Sequence, residues 1–198
     1  MARSERRERE RQAMRLSILK AAREIARSSG WQAVTLRKVA DRIGYGAATL
    51  YEYFPAKEAI LEAVAQEGFE ALLARLRAAP TAGQPRERLR QVADAYWEFA
   101  MENPELYQAM FGLDGVPFPP VRRSEGLLFL LLALREELAP LRREPVESSG
   151  LQGDAEILLA TLHGHLSLAL AGRLGGGAER GEWLMKRAVR TLLEQWGE

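Results

Sequence analysis

Along almost the whole chain, apolar residues return at intervals of three and four, and no stretch of useful length alternates apolar with polar. A backbone so patterned can bury one stripe per helix but offers no pleated face. The fold class is therefore expected to be all-α, an N-terminal helix-turn-helix unit followed by a larger helical domain. Met14, Ile18, Ala21 and Ile25 mark the buried stripe of a first helix, which Ser28-Ser29-Gly30 closes before Trp31 folds back on its last turn. Thr35 is placed to cap a second helix, whose Leu36, Val39, Ala40 and Ile43 fall at i, i+3, i+4 and i+7 before Gly44 ends it. A short third helix is expected from about Ala47 to Phe54, Pro55 interrupts, and a fourth runs from Lys57 to about Ala79.

The stretch from Ala79 to Pro85 is the most loop-like before mid-chain. We divide the chain into residues 1–60, a basic arm and three short helices, and residues 61–198, a larger helical domain. Later helices are predicted over Arg86–Asn103, Pro104–Phe111, Val121–Leu138, Asp154–Leu174 and Gly181–Trp196. Leu127 to Leu134 is apolar on every side, and Ile157 to Ala171 nearly so, which predicts helices covered all round.

Composition narrows the function. The 198 residues include no cysteine, so disulfides and thiolate metal sites are excluded and a reducing cytoplasm is the natural setting. No run reaches membrane-spanning length, and the Arg/Glu-rich start is not a secretory signal. His163 and His165, two apart on a helix, diverge by about 200°, so they do not share a metal. Neither a nucleophile–base set nor a phosphate-cradling glycine loop occurs, and no enzyme activity, cofactor or metal is expected. The net charge of +1 hides an asymmetry: residues 1–60 carry 13 Lys and Arg against 7 Asp and Glu, the remainder 15 against 20. A basic head on an acidic body suits a polyanion at one end.

The second helix, Gly44-Tyr45-Gly46 and the third helix have the spacing of a helix-turn-helix, whose third helix enters the major groove of double-stranded DNA. At 100° per residue Ala47, Leu50 and Phe54 share the inward face. Ala48, Thr49 and Glu52 then point outward, with Tyr51 and Tyr53 on the flanks. Small Ala48 and Thr49 permit close approach to base edges, while the phenols reach phosphates. Thr35 and Arg37 can hold the opposite backbone, and Lys57, at the start of the fourth helix, adds its ammonium to free N–H groups. Arg3, Arg6, Arg7, Arg9 and Arg11, interleaved with Glu5, Glu8 and Glu10, form either a solvated tail or an arm entering an adjacent minor groove.

The run from Thr35 through Gly44, then Ala47-Ala48-Thr49-Leu50-Tyr51-Glu52-Tyr53-Phe54-Pro55-Ala56-Lys57-Glu58, resembles the TetR family of bacterial transcription regulators. The resemblance implies DNA contacts from Thr35, Arg37, Thr49, Tyr51, Tyr53 and Lys57. Gly46 stands where a capping hydroxyl is frequent, and it keeps N-cap competence without the side-chain acceptor. Further on, Ala95 to Tyr107, Met110-Phe111-Gly112, Leu162-His163-Gly164 and Leu170 to Leu174 resemble a C-terminal subfamily of these regulators with a Trp-His-Gly signature, Leu159 standing for its tryptophan.

That resemblance implies a small-molecule effector and a homodimer joined through the last two long helices. The residues add their own reasons. Trp97, Met101, Tyr107, Met110, Phe111 and Phe129 supply adaptable apolar surface, and His163 a polar handle, for an effector. Leu162, Leu166, Leu170, Met185, Val189, Leu192 and Trp196 are expected to build the seam of a four-helix dimer. Together these describe a cytoplasmic dimeric regulator, a repressor on family grounds, released from DNA when an effector acts through the fourth helix. A helical carrier or enzyme for an apolar metabolite, and a bundle that buries a protein partner, are the alternatives.

Overall fold

In a computed structural model the described residues are 2–79, 83–113, 115–116 and 125–197. They form α1 (Ala2–Ser29), a 3-10 turn (Trp31–Ala33), α2 (Leu36–Ile43), α3 (Ala47–Tyr51), α4 (Lys57–Ala78), α5 (Pro85–Glu102), α6 (Pro104–Phe111), α7 (Glu125–Arg142), α8 (Ser149–Leu170) and α9 (Gly177–Trp196). Among the described residues there is no strand, and no helix is long and apolar enough to cross a membrane.

The chain packs as two compact units that do not follow chain order. One holds the residues up to Gly68 together with the stretch that begins at Glu105; the other holds Phe69–Pro104 and the chain from α7 onward. In the first, α1 packs on the 3-10 turn and α2, and α2 on α3. Ile18, Ala22, Trp31, Val39, Leu50 and Phe54 are buried, as the three-and-four spacing requires. The indole of Trp31 donates its N–H to the Glu105 carbonyl at 2.9 Å. The Glu105 carboxylate, 1% exposed, accepts from Arg27 at 2.7 Å and Arg23 at 3.2 Å, and Arg23 also reaches Glu67 at 2.6 Å. A buried charge is tolerable only with such partners.

In the second unit α8 packs on α7 and α9, and α5 on all three. Leu89, Tyr96, Leu130, Leu134, Leu158, Leu162, Leu166, Met185 and Leu193 are buried. At the C-terminal end of α4, Arg88 donates to the carbonyls of Leu76 (3.1 Å) and Ala79 and grips Glu137 of α7 with bonds of 2.6 and 2.9 Å. It thereby fills acceptors that a helix end leaves without partners.

Several boundaries differ from those expected. α1 extends almost to the chain start, so the Arg/Glu arm is helical from Ala2. α3 is shorter, its helical bonds giving way to a turn in which Tyr53 and Phe54 both donate to the Leu50 carbonyl. α8 begins five residues early, because Ser148 caps it by accepting from the Gly150 N–H at 3.2 Å. α7 runs past Pro140, where a missing N–H near the helix end costs little. Its predicted start at Val121, and Pro80–Ala82 of the predicted loop, lie outside the described residues.

Neither all-apolar stretch is covered on every side. Leu128, Phe129 and Leu132 of α7 and Ile157 and Leu168 of α8 are 41–54% exposed, because one chain supplies packing partners for one side of each helix only.

Candidate nucleic-acid interface

The helix-turn-helix is built by local rules that hold each outward side chain in place. Thr35, extended at φ −133°, caps α2 by accepting from the Lys38 N–H at 3.2 Å. Thr35, Arg37 and Lys38 are exposed on its first turn, while Val39 and Ala40 are buried on the other side. Gly44, at φ 74° and ψ 30°, takes the left-handed conformation that closes α2, and the Tyr45 N–H reaches back to the Ala40 carbonyl at 3.0 Å. Gly46, extended at φ −71°, is the N-cap of α3 and offers it no side-chain acceptor.

On α3 and the turn that follows it, Leu50 and Phe54 are buried and Ala47 is half-buried, the inward set expected. Ala48, Tyr51 and Glu52 are exposed, whereas Thr49 and Tyr53 are half-buried at the margin. Arg15 of α1 supports the C-terminal end of α3: its guanidinium donates to the Tyr53 carbonyl at 3.1 Å and lies 4.4 Å from the centre of the Phe54 ring. Arg11 stands 6.0 Å from the Tyr53 ring. Lys57 donates to the Trp31 carbonyl at 2.6 Å, which fastens the start of α4 to the 3-10 turn. An ammonium has three donors, so this bond leaves two for another acceptor.

Two residues on this side, Tyr45 and Arg15, escaped the sequence reading, and a third, Arg11, was placed there only in the Arg/Glu arm. Tyr45 sits between two glycines, outside any periodic stripe, and is 48% exposed in the turn. Arg15 lies beyond the charged run, and the continuity of α1 brings Arg11 beside Tyr53 and Arg15 beside Phe54.

The residues chosen for an effector divide between the units. Tyr107, Met110 and Phe111 are buried in the first, where the Tyr107 and Phe111 rings stand 4.7 Å apart and Met110 lies so close to Gly68 that a Cβ there would stand 2.6 Å from its sulfur. Trp97, Met101, Phe129 and His163 belong to the second. Trp97 is buried, its ring against Gly181 of α9, Met101 is half-buried, and Phe129 is exposed. His163 Nε2 is 3.1 Å from the Ser167 hydroxyl, and burial lowers its pKa from the ordinary imidazole value. His165 turns its Nδ1 to the Thr161 carbonyl at 2.7 Å.

Of the seam residues, Leu162, Leu166, Met185, Val189 and Trp196 are buried within the single chain, and Leu170 and Leu192 are half-buried. The open side of α8 is instead a stripe of Gly153, Ile157, Ala160, Gly164 and Leu168. A Cβ at Gly153 or Gly164 would meet nothing within 4 Å.

Comparison with known proteins decides what these helices belong to. Residues 18–64 match the family described as bacterial regulatory proteins, tetR family, and residues 89–192 match the tetracyclin repressor-like C-terminal domain. The chain belongs to the TetR family. Its N-terminal helix-turn-helix is the domain shared by these bacterial regulatory proteins, a family of regulators and not of enzymes. Among curated relatives it is 37% identical over 97 residues to the HTH-type transcriptional repressor KstR of Mycolicibacterium smegmatis, covering 48% of each chain. It is 31% identical over 105 residues to the HTH-type transcriptional activator FasR of the same species, covering 52% of this chain and 48% of that one. The chain thus spans about half the length of these two curated relatives. The fold is shared with the TetR family transcriptional regulator PfmR from Thermus thermophilus, with a TM-score of 0.65 at 21% identity over 89% of this chain and 97% of that one.

Proposed function

We propose that the protein is a repressor that binds a pseudo-palindromic operator as a homodimer in the cytoplasm and leaves it when a small apolar or amphipathic effector binds. The observation that carries this reading is α3 itself. It is short, held at one end by a glycine-limited turn and at the other by Arg15, and it bares Ala48 with Thr49 at its margin. Residues of that size let a helix approach base edges, with either methyl able to pack on a thymine. Thr35, Arg37, Gly46, Tyr51, Tyr53 and Lys57, joined by Tyr45, take the sugar-phosphate contacts around it.

Two-fold symmetry supplies two such helices, and their spacing of roughly 34 Å defines the half-sites. The pairing surface is placed on the open side of α8, with Ile157, Ala160 and Leu168 as its apolar members, and the seam residues expected from the sequence form the packing behind it. Trp97, Met101, Tyr107, Met110, Phe111, Phe129 and His163 remain the residues assigned to the effector. Release requires that the effector bind more tightly to a state whose recognition helices no longer match the operator.

The test is selection of bound duplexes from a random pool. A recovered palindrome supports the reading, and a protein that retains no duplex at low ionic strength overturns it. On the recovered operator, Tyr53→Phe is expected to weaken binding alike on all base variants and Thr49→Ala to change the preference among them. The opposite pattern would reverse the assignment of backbone and base roles.

A further inference from the structure

The first three turns of α1 overhang the helix-turn-helix, since Ile18 is the first core residue and residues 4–13 are exposed. Charge is partitioned around this overhang. Arg6 pairs with Glu10 at 2.8 Å, and Arg9 donates to the Glu5 carbonyl. At 100° per residue, Arg6 and Arg9 lie about 120° and 180° from Ile18 around the helix, whereas Arg7 and Arg11 lie within about 20° of it. Arg7 and Arg11 therefore continue, beyond the core, the face that packs on the helix-turn-helix. Neither has a carboxylate partner among the described residues. Arg11 already stands beside Tyr53, and Arg15, next in the row, bonds the Tyr53 carbonyl.

We infer that this row is a second DNA-binding surface, in which Arg7 and Arg11 hold phosphates flanking the base pairs read by α3. The inference rests on the DNA-binding reading above. Its ligand chemistry follows from three features. Among the described residues of this overhang, the arginines with neither a carboxylate nor a carbonyl partner, Arg7 and Arg11, share one face, and that face borders the C-terminal end of α3. Four residues of helix advance about 6 Å, close to the rise of two nucleotides along one strand. The surface is thus a rigid helical rail on the backbone, in place of the flexible minor-groove arm that composition alone permits.

The test measures binding of the full chain to a 40-base-pair random-sequence duplex by fluorescence anisotropy, from about 50 to 200 mM KCl. Each lost arginine–phosphate contact lowers the magnitude of the slope of log K against log salt by about 0.9, so Arg7→Ala/Arg11→Ala is expected to lower that magnitude by about 1.8 per subunit. Arg6→Ala/Arg9→Ala removes the same charge from the far side and is expected to leave the slope unchanged. Arg7→Lys/Arg11→Lys restores it. An unchanged slope in Arg7→Ala/Arg11→Ala, or an equal fall in both alanine pairs, overturns the inference while leaving the DNA-binding reading intact. Failure of the unaltered protein to bind the duplex overturns both. Alanine is the best helix former, and far-UV circular dichroism checks that α1 persists in each variant.

Discussion

At Glu105 a carboxylate sits where water scarcely reaches, and the guanidiniums of Arg23 and Arg27 replace its hydration. The same hydrogen bond, ahead of simple charge attraction, raises the pKa of Arg27. Glu105→Gln keeps the shape and removes the charge, and is expected to cost about 2 kcal/mol in urea unfolding, the worth of hydrogen bonds to a charged group. A loss below about 0.5 kcal/mol would show that the arginines re-solvate freely. His163 makes a prediction with a sign. Its folded pKa lies below the ordinary 6.5, so the unfolded chain takes up the proton first. Its contribution is absent above that value and becomes destabilising as pH falls through it. The urea midpoint should therefore drop between about pH 7.5 and 5.5, and drop less in His163→Gln; parallel curves would remove the histidine from the account. Residues whose roles are local were legible in the sequence: Thr35 as a cap and Gly44 as a left-handed stop need only their neighbours. Glu105 was not, because its partners lie 78 and 82 positions away.

Among the elements, α4 shows how an end is finished by a distant side chain. Arg88 occupies the carbonyls at its C-terminus while Glu137 neutralises the guanidinium, and this contact, chiefly by hydrogen bonding, raises the arginine's pKa. Removing one partner leaves the other charge in a poorly hydrated place, so Arg88→Met is expected to lose about 3 kcal/mol. Arg88→Met/Glu137→Met should recover part of it, and a strictly additive double-mutant cycle would refute the coupling. Helix existence was readable from spacing throughout. The ends were less so, because Ser148 capped α8 ahead of Gly150 and Gly153, and because nothing in an alternating Arg/Glu run says that it prolongs the helix behind it. The apolar runs in α7 and α8 predicted cover on all sides, and hydrophobicity alone does not say whether that cover comes from the same chain.

For the whole molecule, the exposed stripe on α8 gives the proposed dimer a direct test. Ile157→Asp/Leu168→Asp places charge on open surface, so the fold should survive by circular dichroism while sedimentation reports a monomer. An unchanged dimer would move the seam elsewhere. The discontinuous first unit carries a practical lesson for anyone swapping reading heads between regulators. A fragment cut at Gly68 takes Arg23, Arg27 and Trp31 with it but abandons the carboxylate and carbonyl of Glu105 that they hold. A graft made just after α4 carries the same omission, and a transplant that keeps its specificity has to bring α6 along as well.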